Sequence, residues 1–305
     1  MEHEHHHHGG SARMLGYALA ITAAFALVEV VGGVLSGSLA LLSDAGHMFT
    51  DVLALALSLG AAVVAGRQAT EKHTFGFMRA EILVALLNGI ALVGISFLVL
   101  REAVVRFSHP QEVDADLMLM VAVAGTAANL LGMALLSRGS KENLNVRGAF
   151  LHMMGDLLSS FGVIAAALLI RFFGWQAADP LISIAIAVII LIGAYRLISQ
   201  SVTILLEAVP EHIRLKEVEE TMSSVDGVVK VHDLHVWTLS SGVYALSGHV
   251  VVEDRRVSDC SPVLRDLEKV LEERFRITHT TIQLECGECP GQGCSIGNRN
   301  GKHDE

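Results

Sequence analysis

Long apolar stretches dominate the first two-thirds of the chain. They run over residues 14–36, 39–65, 80–105, 115–137, 145–171 and 177–206. Each reaches the ~20 residues that a helix needs to cross a hydrocarbon layer. Polar separators divide them: "SGS", "GRQATEKHTFGFMR", "FSHPQEVDAD", "SRGSKENLN" and "FFGWQAADP". From residue 209 the pattern changes. A helical stretch at 213–224 precedes two runs of strand-like alternation, 228–239 and 243–253, joined by a Ser-Gly turn. A second helical stretch, "SPVLRDLEKVLEERF", and a third strand, "HTTIQLEC", follow. Along "VVKVHDLHVWTL" the alternation assigns Val229, Val231, Asp233, His235 and Trp237 to one face. The pattern predicts an all-α membrane domain of six helices over 14–208 and a small α+β domain, ordered αββαβ, over 209–287. Residues 1–13 and 288–305 read as disordered tails.

Composition supports this division. The chain is 52% hydrophobic and 18% charged, with mean hydropathy +0.51, against about 25% charged in an average soluble domain. The net charge of −10 argues against a nucleic-acid partner. The polar start "MEHEHHHHGGSAR" runs straight into a full-length span, which reads as a first span rather than a cleavable signal peptide. "HEHHHH" reads either as a purification tag or as a native segment that binds metal loosely, and its interleaved Glu favours the second.

Lys and Arg set the expected orientation. The second–third connection holds Arg67, Lys72 and Arg79, and the fourth–fifth holds Arg138 and Lys141, with Arg147 just inside the next span. By the positive-inside rule these connections, both termini and the soluble tail face the cytoplasm.

Polar residues inside spans are costly, about 2.5–3.5 kcal/mol for an Asp at the bilayer centre, and they mark the candidate chemistry. "SLALLSDAGHMFTD" carries His47 and Asp51 four apart on one face of the second span, and "FLHMMGDLLSS" carries His152 and Asp156 at the same spacing on the fifth. Facing each other, the two H-x-x-x-D pairs would supply two imidazoles and two carboxylates, a donor set matched to tetrahedral zinc. The dication would offset both carboxylates. Asp44, one turn before His47, reads either as a way-station for incoming metal or as an exposed residue near the helix start. Glu29, Asn88, Asn129 and Asp179 read as interhelix hydrogen bonders or as lining for a hydrated path.

Metal binding requires deprotonated ligands, and imidazole titrates near neutrality, so such a site could exchange protons for metal. No G-x-x-x-x-G-K-[ST] and no D-K-T-G-type phosphorylation sequence occurs. A secondary transporter, not an enzyme, is the expected function. The alternatives are an intramembrane metalloenzyme, which lacks H-E-x-x-H and a spare general base here, and a membrane-anchored metal sensor. In the tail, His232, His235, His249, His279, Glu285, Cys286 and Cys289 lie on or beside strands and together point to a cytoplasmic metal site. The C-x-x-C of Cys286 and Cys289, with Cys294 nearby, favours metal over a disulfide in a reducing compartment.

These residues resemble the cation diffusion facilitator family, in its bacterial cobalt–zinc–cadmium efflux and zinc-transporter branch. The resemblance rests on "SLALLSDAGHMFTD", "HTFGFMRAEIL", "LNVRGAFLHMMGDLLSS", "VHDLHVW" and "HTTIQLE", in that order, and covers nearly the whole chain. It implies a homodimer in the bacterial plasma membrane with a metallochaperone-like, ferredoxin-like cytoplasmic domain. It implies proton-driven export of Zn2+, with Cd2+ and Co2+ as further cargo. His47, Asp51, His152 and Asp156 would be the transport ligands, and His232, His249 and Glu285 match tail ligand positions of relatives. His73 matches a ligand of a site in the second–third connection, where Phe77 replaces a later histidine. Gln283 replaces a further tail ligand, for which His279 and the C-x-x-C would compensate.

Overall fold

The computed structural model describes residues 8–65, 70–137, 144–240, 242–253 and 256–286. It divides into two compact units: residues 1–60 with 84–198, and residues 61–83 with 199–305.

The first unit is built from α1 His8–Ser36, α4 Ala115–Ser137, α5 Leu144–Phe173 and most of α2 Leu39–Ala65, α3 Ala80–Ser108 and α6 Ala178–Leu205, whose residues 61–65, 80–83 and 199–205 fall in the second. The bounds of α2–α6 follow the apolar runs to within three residues. In contrast, α1 begins at His8, six residues before its run and within the stretch expected to be disordered, because helix can continue through the small and polar residues before the span. Among the described residues, Ala80–Ser108, Ala115–Ala134, Asp156–Phe173 and Ala178–Leu205 are long and apolar enough to cross a membrane, and Ala20–Ser36 is a shorter apolar helix. Large apolar side chains such as Leu35, Phe97, Leu98, Leu158 and Tyr195 point outwards, as a lipid-facing surface requires.

The interior is built from small residues. Ala40, Ala122, Ala166, Ala167, Ala178 and Ala194 are buried with Leu41, Met118 and Val163 in one cluster. Without water to drive helix association in lipid, close backbone approach has to supply the dispersion contacts. Two glycines show this. A Cβ on Gly32 would lie 2.6 Å from Val121 Cγ2, and one on Gly125 would lie 2.5 Å from Phe25 Cε1 and 2.8 Å from Glu29 Oε1. These contacts draw α1 onto α4, and α4 packs in turn on α5.

The second unit contains α7 Leu215–Ser223, β1 Val228–Ser240, β2 Val243–Val252, a short 3-10 turn Val257–Cys260, α8 Ser261–Phe275 and β3 Ile277–Cys286. The sheet order is β1-β2-β3. The first pair is an antiparallel hairpin, and β3 joins β2 in parallel after crossing over through α8. Val218 and Met222 of α7 and Val263, Leu267 and Leu271 of α8 cover one sheet face, packing on Val231, Val236, Leu246 and Val250.

The alternation expected along β1 holds for only part of the strand. Val231 is buried, but Val229 and His235 are exposed, and the next buried residue after Val231 is Val236. The cause is a bulge between His232 and His235. Asp233 adopts φ +49°, in the left-handed region that Asp tolerates better than most residues. The bulge slips the inward face by one residue, so Val236 rather than His235 points to the core.

Candidate metal centres

On α2 and α5 two polar contacts fall on successive turns. Ser159 Oγ donates to Asp44 Oδ1 at 2.5 Å. His47 Nε2 lies 3.9 Å from Asp156 Oδ1, with the His side chain 24% exposed and the Asp 3%. Asp44 is therefore buried, at 2%, and not an exposed residue near the helix start. Hydroxyls also bond back to the carbonyls of the two facing residues. Thr50 Oγ1 donates to the His47 carbonyl at 2.7 Å, and Ser159 and Ser160 donate to the Asp156 carbonyl at 2.8 and 3.0 Å. Such i−3 and i−4 bonds slightly bend a helix where they occur. Asp51 and His152 have backbones within α2 and α5, but their side chains lie outside the described residues. Glu29 of α1 is also fully buried, in the space that Gly125 leaves.

A second cluster is complete among the described residues. One ligand atom each from His232, His249 and Glu285 lies within 4.8 Å of the others. His232 and His249 are direct cross-strand partners on β1 and β2, and their rings meet at 5.2 Å and 69°. Glu285 reaches both from β3. Its Oε2 is 3.1 Å from His232 Nε2, and its Oε1 is 2.9 Å from His249 Nδ1. His249 Nδ1 is buried, and its 2.9 Å approach to Glu285 Oε1 lacks hydrogen-bond geometry. Gln283 Nε2 donates to Glu285 Oε1 at 2.9 Å. Two donors about 2.0–2.1 Å from a tetrahedral zinc stand roughly 3.3 Å apart; the two Glu285–His contacts are close to that spacing, and the three ligand atoms together lie within 4.8 Å of one another. Burial pushes the Glu285 carboxyl upward, but hydrogen bonds from His232 and Gln283 and the charges of His249 and His232 outweigh it and hold it below the ordinary 4.5.

The remaining sequence candidates fall elsewhere. His279 lies six residues before Glu285 on β3, about 20 Å along an extended strand. It is exposed and meets Phe75 edge-on at 5.5 Å. Cys286 is exposed at the end of β3, and Cys289 lies outside the described residues. His235 pairs with Asp233 at 3.3 Å within the bulge. His73 stacks on Phe77 with ring centres 4.6 Å apart, and no metal cluster forms there among the described residues. Sequence reasoning singled out neither Thr50 nor Ser159 and Ser160; the signal was a hydroxyl three or four residues after each facing residue.

A polar cluster inside an apolar helix bundle, followed by an α+β domain with a His2Glu cluster, defines the class: a metal-handling integral membrane protein. A family model for the cation efflux transmembrane domain matches residues 15–206, and one for the cation efflux protein cytoplasmic domain matches residues 210–286. The chain is 45% identical to "Metal cation efflux system protein CzcD" of Cupriavidus metallidurans, over 94% of this chain and 90% of the relative. It is 43% identical to "Zinc transporter ZitB" of Escherichia coli, over 97% and 96%. It is 42% identical to "Cadmium, cobalt and zinc/H(+)-K(+) antiporter" of Bacillus subtilis, over 92% and 91%. The chain belongs to the cation diffusion facilitator family, in its zinc, cadmium and cobalt efflux branch. It is a metal cation efflux transporter and not an enzyme.

Proposed function

We propose that the protein exports Zn2+, and also Cd2+ and Co2+, from the cytoplasm in exchange for protons, through a tetrahedral site of His47, Asp51, His152 and Asp156. The observation that carries this reading is the register of α2 against α5. Asp44 meets Ser159 and His47 meets Asp156, so each step along α2 is matched by an equal step back along α5. One further turn brings position 51 of α2 opposite position 152 of α5. On that register the two H-x-x-x-D motifs run head to tail along the paired helices.

Protons and metal compete for the same lone pairs, so the site releases protons as it loads and takes them up as it unloads. A dication between two carboxylates and two neutral imidazoles leaves no net charge on the site, which lowers the cost of holding it within the bilayer. The relative named a zinc/H(+)-K(+) antiporter supports proton coupling. The Lys and Arg of the second–third and fourth–fifth connections support cytoplasmic termini in a bacterial plasma membrane.

The transport domain is taken as 14–208 and the cytoplasmic domain as 209–287. His232, His249 and Glu285 hold a regulatory metal in the cytoplasmic domain, with the fourth position left to water or to a donor from a second copy. His279, Cys286 and Cys289 are the remaining donors of that domain, and the protein acts as a homodimer.

The test is zinc uptake into proteoliposomes under an imposed pH gradient. Wild type is expected to move zinc against the proton gradient, and Asp51→Ala and Asp156→Ala to be folded and inactive. Wild-type rates in both variants would remove the paired motifs from the transport path.

A further inference from the structure

At one end of the bundle α2 and α6 begin and α3 ends. Asp179, the second residue of α6, is fully buried there. Its carboxylate lies at the first turn of α2. Oδ2 accepts from Leu39 N at 2.8 Å, and Oδ1 accepts from Ala40 N at 3.1 Å and from Ser38 Oγ at 2.6 Å. Arg106 of α3 completes the arrangement. Its Nη1 donates to the Gly37 carbonyl at 2.5 Å and lies 3.5 Å from Asp179 Oδ2, and its Nε donates to Glu102 at 3.2 Å. Gly37, at φ +70°, turns that carbonyl out of the α1–α2 corner towards the guanidinium.

The first N–H groups of a helix have no partner within it, and a side chain just before the helix ordinarily caps them. Ser38 already does this: its Oγ accepts from Leu41 N at 3.1 Å. The two remaining N–H groups are taken by a carboxylate some 140 positions away. Ending the helix does not require so distant a partner. What the distant partner adds is a bond between helices. Two further hydrogen bonds tighten the same end: Asp114 N donates to the Ser36 carbonyl at 2.9 Å, and Val113 N to the side-chain Oε1 of Gln176 at 3.2 Å.

We propose that Asp179 is a positioning residue for transport. It pins the first turn of α2 to α6 and α3, so that the helix carrying His47 moves about this end as a fixed point. The proposal rests on His47 being a transport ligand. His47 lies eight residues into α2, about 12 Å from the pin at 1.5 Å per residue, while the rest of the helix continues beyond it. A rotation about the pin therefore moves the metal site little and the far end of α2 more. Asp179 is not itself a metal ligand in this scheme, because the Arg106 guanidinium 3.5 Å from Oδ2 already supplies its countercharge and repels a cation.

Capping and pinning can be separated. Asp179→Ala removes both. Asp179→Ala with Ser38→Asp restores a carboxylate cap within α2 but leaves no bond to α6. Full-length proteins in proteoliposomes would be compared for maximal zinc flux, half-saturating zinc concentration and thermal unfolding in detergent. The double variant is expected to unfold within a few degrees of wild type and to keep its half-saturating concentration within about twofold. Its maximal flux is expected to fall about tenfold or more, the pattern of an effect on turnover rather than on binding. Full flux in the double variant would reduce Asp179 to a cap and overturn the proposal, as would full flux in Asp179→Ala. If Asp179→Ala does not fold, the double variant alone decides. Asp156→Ala in the same assay keeps the two readings apart: full flux there would discard the transport site, whatever Asp179 does.

Discussion

Ser159 Oγ donates to Asp44 Oδ1 at 2.5 Å, joining α5 to α2 one turn from the His47–Asp156 pair. Ser159→Ala would leave a buried carboxylate short of a donor. A loss of about 1–3 kcal/mol is expected, measured as detergent-solubilised unfolding. Thr126→Ala is the control. Its hydroxyl bonds back to Ala122 within α4, and a change of under about 1 kcal/mol is expected there.

Gly125 and Gly94 are both helix-interior glycines with opposite surroundings. A Cβ at 125 would collide with Phe25 and Glu29, whereas one at 94 would meet nothing within 4 Å. Gly125→Ala should force α1 and α4 apart and cost about 1–3 kcal/mol. Gly94→Ala should gain roughly 0.5–1 kcal/mol from helix propensity. Equal melting shifts for the two would show that α1 and α4 do not need this close approach.

Glu285 binds both histidines of the tail cluster, so its loss should cost more metal than either neighbour's loss alone. In an Asp156→Ala background, in which the tail site dominates zinc binding, Glu285→Gln is expected to weaken zinc at least about tenfold, the lower range for damaged metal sites. Gln283→Ala, which removes a donor to Glu285 rather than a proposed ligand, should weaken it less. Calorimetric zinc titration reads both.

Acid should destabilise the metal-free tail through the same carboxyl. Glu285 is held below its ordinary 4.5 in the folded domain, so between the folded and unfolded values the unfolded chain binds more protons. Its contribution is complete above about pH 4.5 and is lost as the pH falls through the lower, folded value. Trp237 fluorescence, in a Trp175→Phe background, should show Glu285→Gln losing less stability than wild type over that acid range. Parallel curves would mean that Glu285 does not contribute.

The membrane helices were legible because an apolar run of twenty or more residues has few other stable fates. The order of tail elements was legible from alternation and turn residues. The bulge was not, because "VHDLHVW" alternates on paper, and only the left-handed backbone at Asp233 reveals the slip. Residue types and spacing alone did not rank the tail triad among the other donors; the family resemblance singled out His232, His249 and Glu285. What selects His232, His249 and Glu285 over His279 is the parallel register of β3 on β2, which places Gln283 beside His249 and His279 beside Ala245, four residues further down the strand. Asp179 could be flagged as a polar residue at the head of a span, but its partners, some 140 positions away, lie beyond any local pattern.

The crossover through α8 also sets an order of construction. The β1–β2 hairpin can bring His232 and His249 together while the rest of the domain is still being made. Glu285 arrives with β3, the last element among the described residues, and only after α8 has carried the chain back across the sheet. Until then the two imidazoles stand without their carboxylate. Firm zinc binding by the tail would therefore mark a domain that has been translated and folded to its final strand, and a nascent or truncated copy would bind metal only weakly.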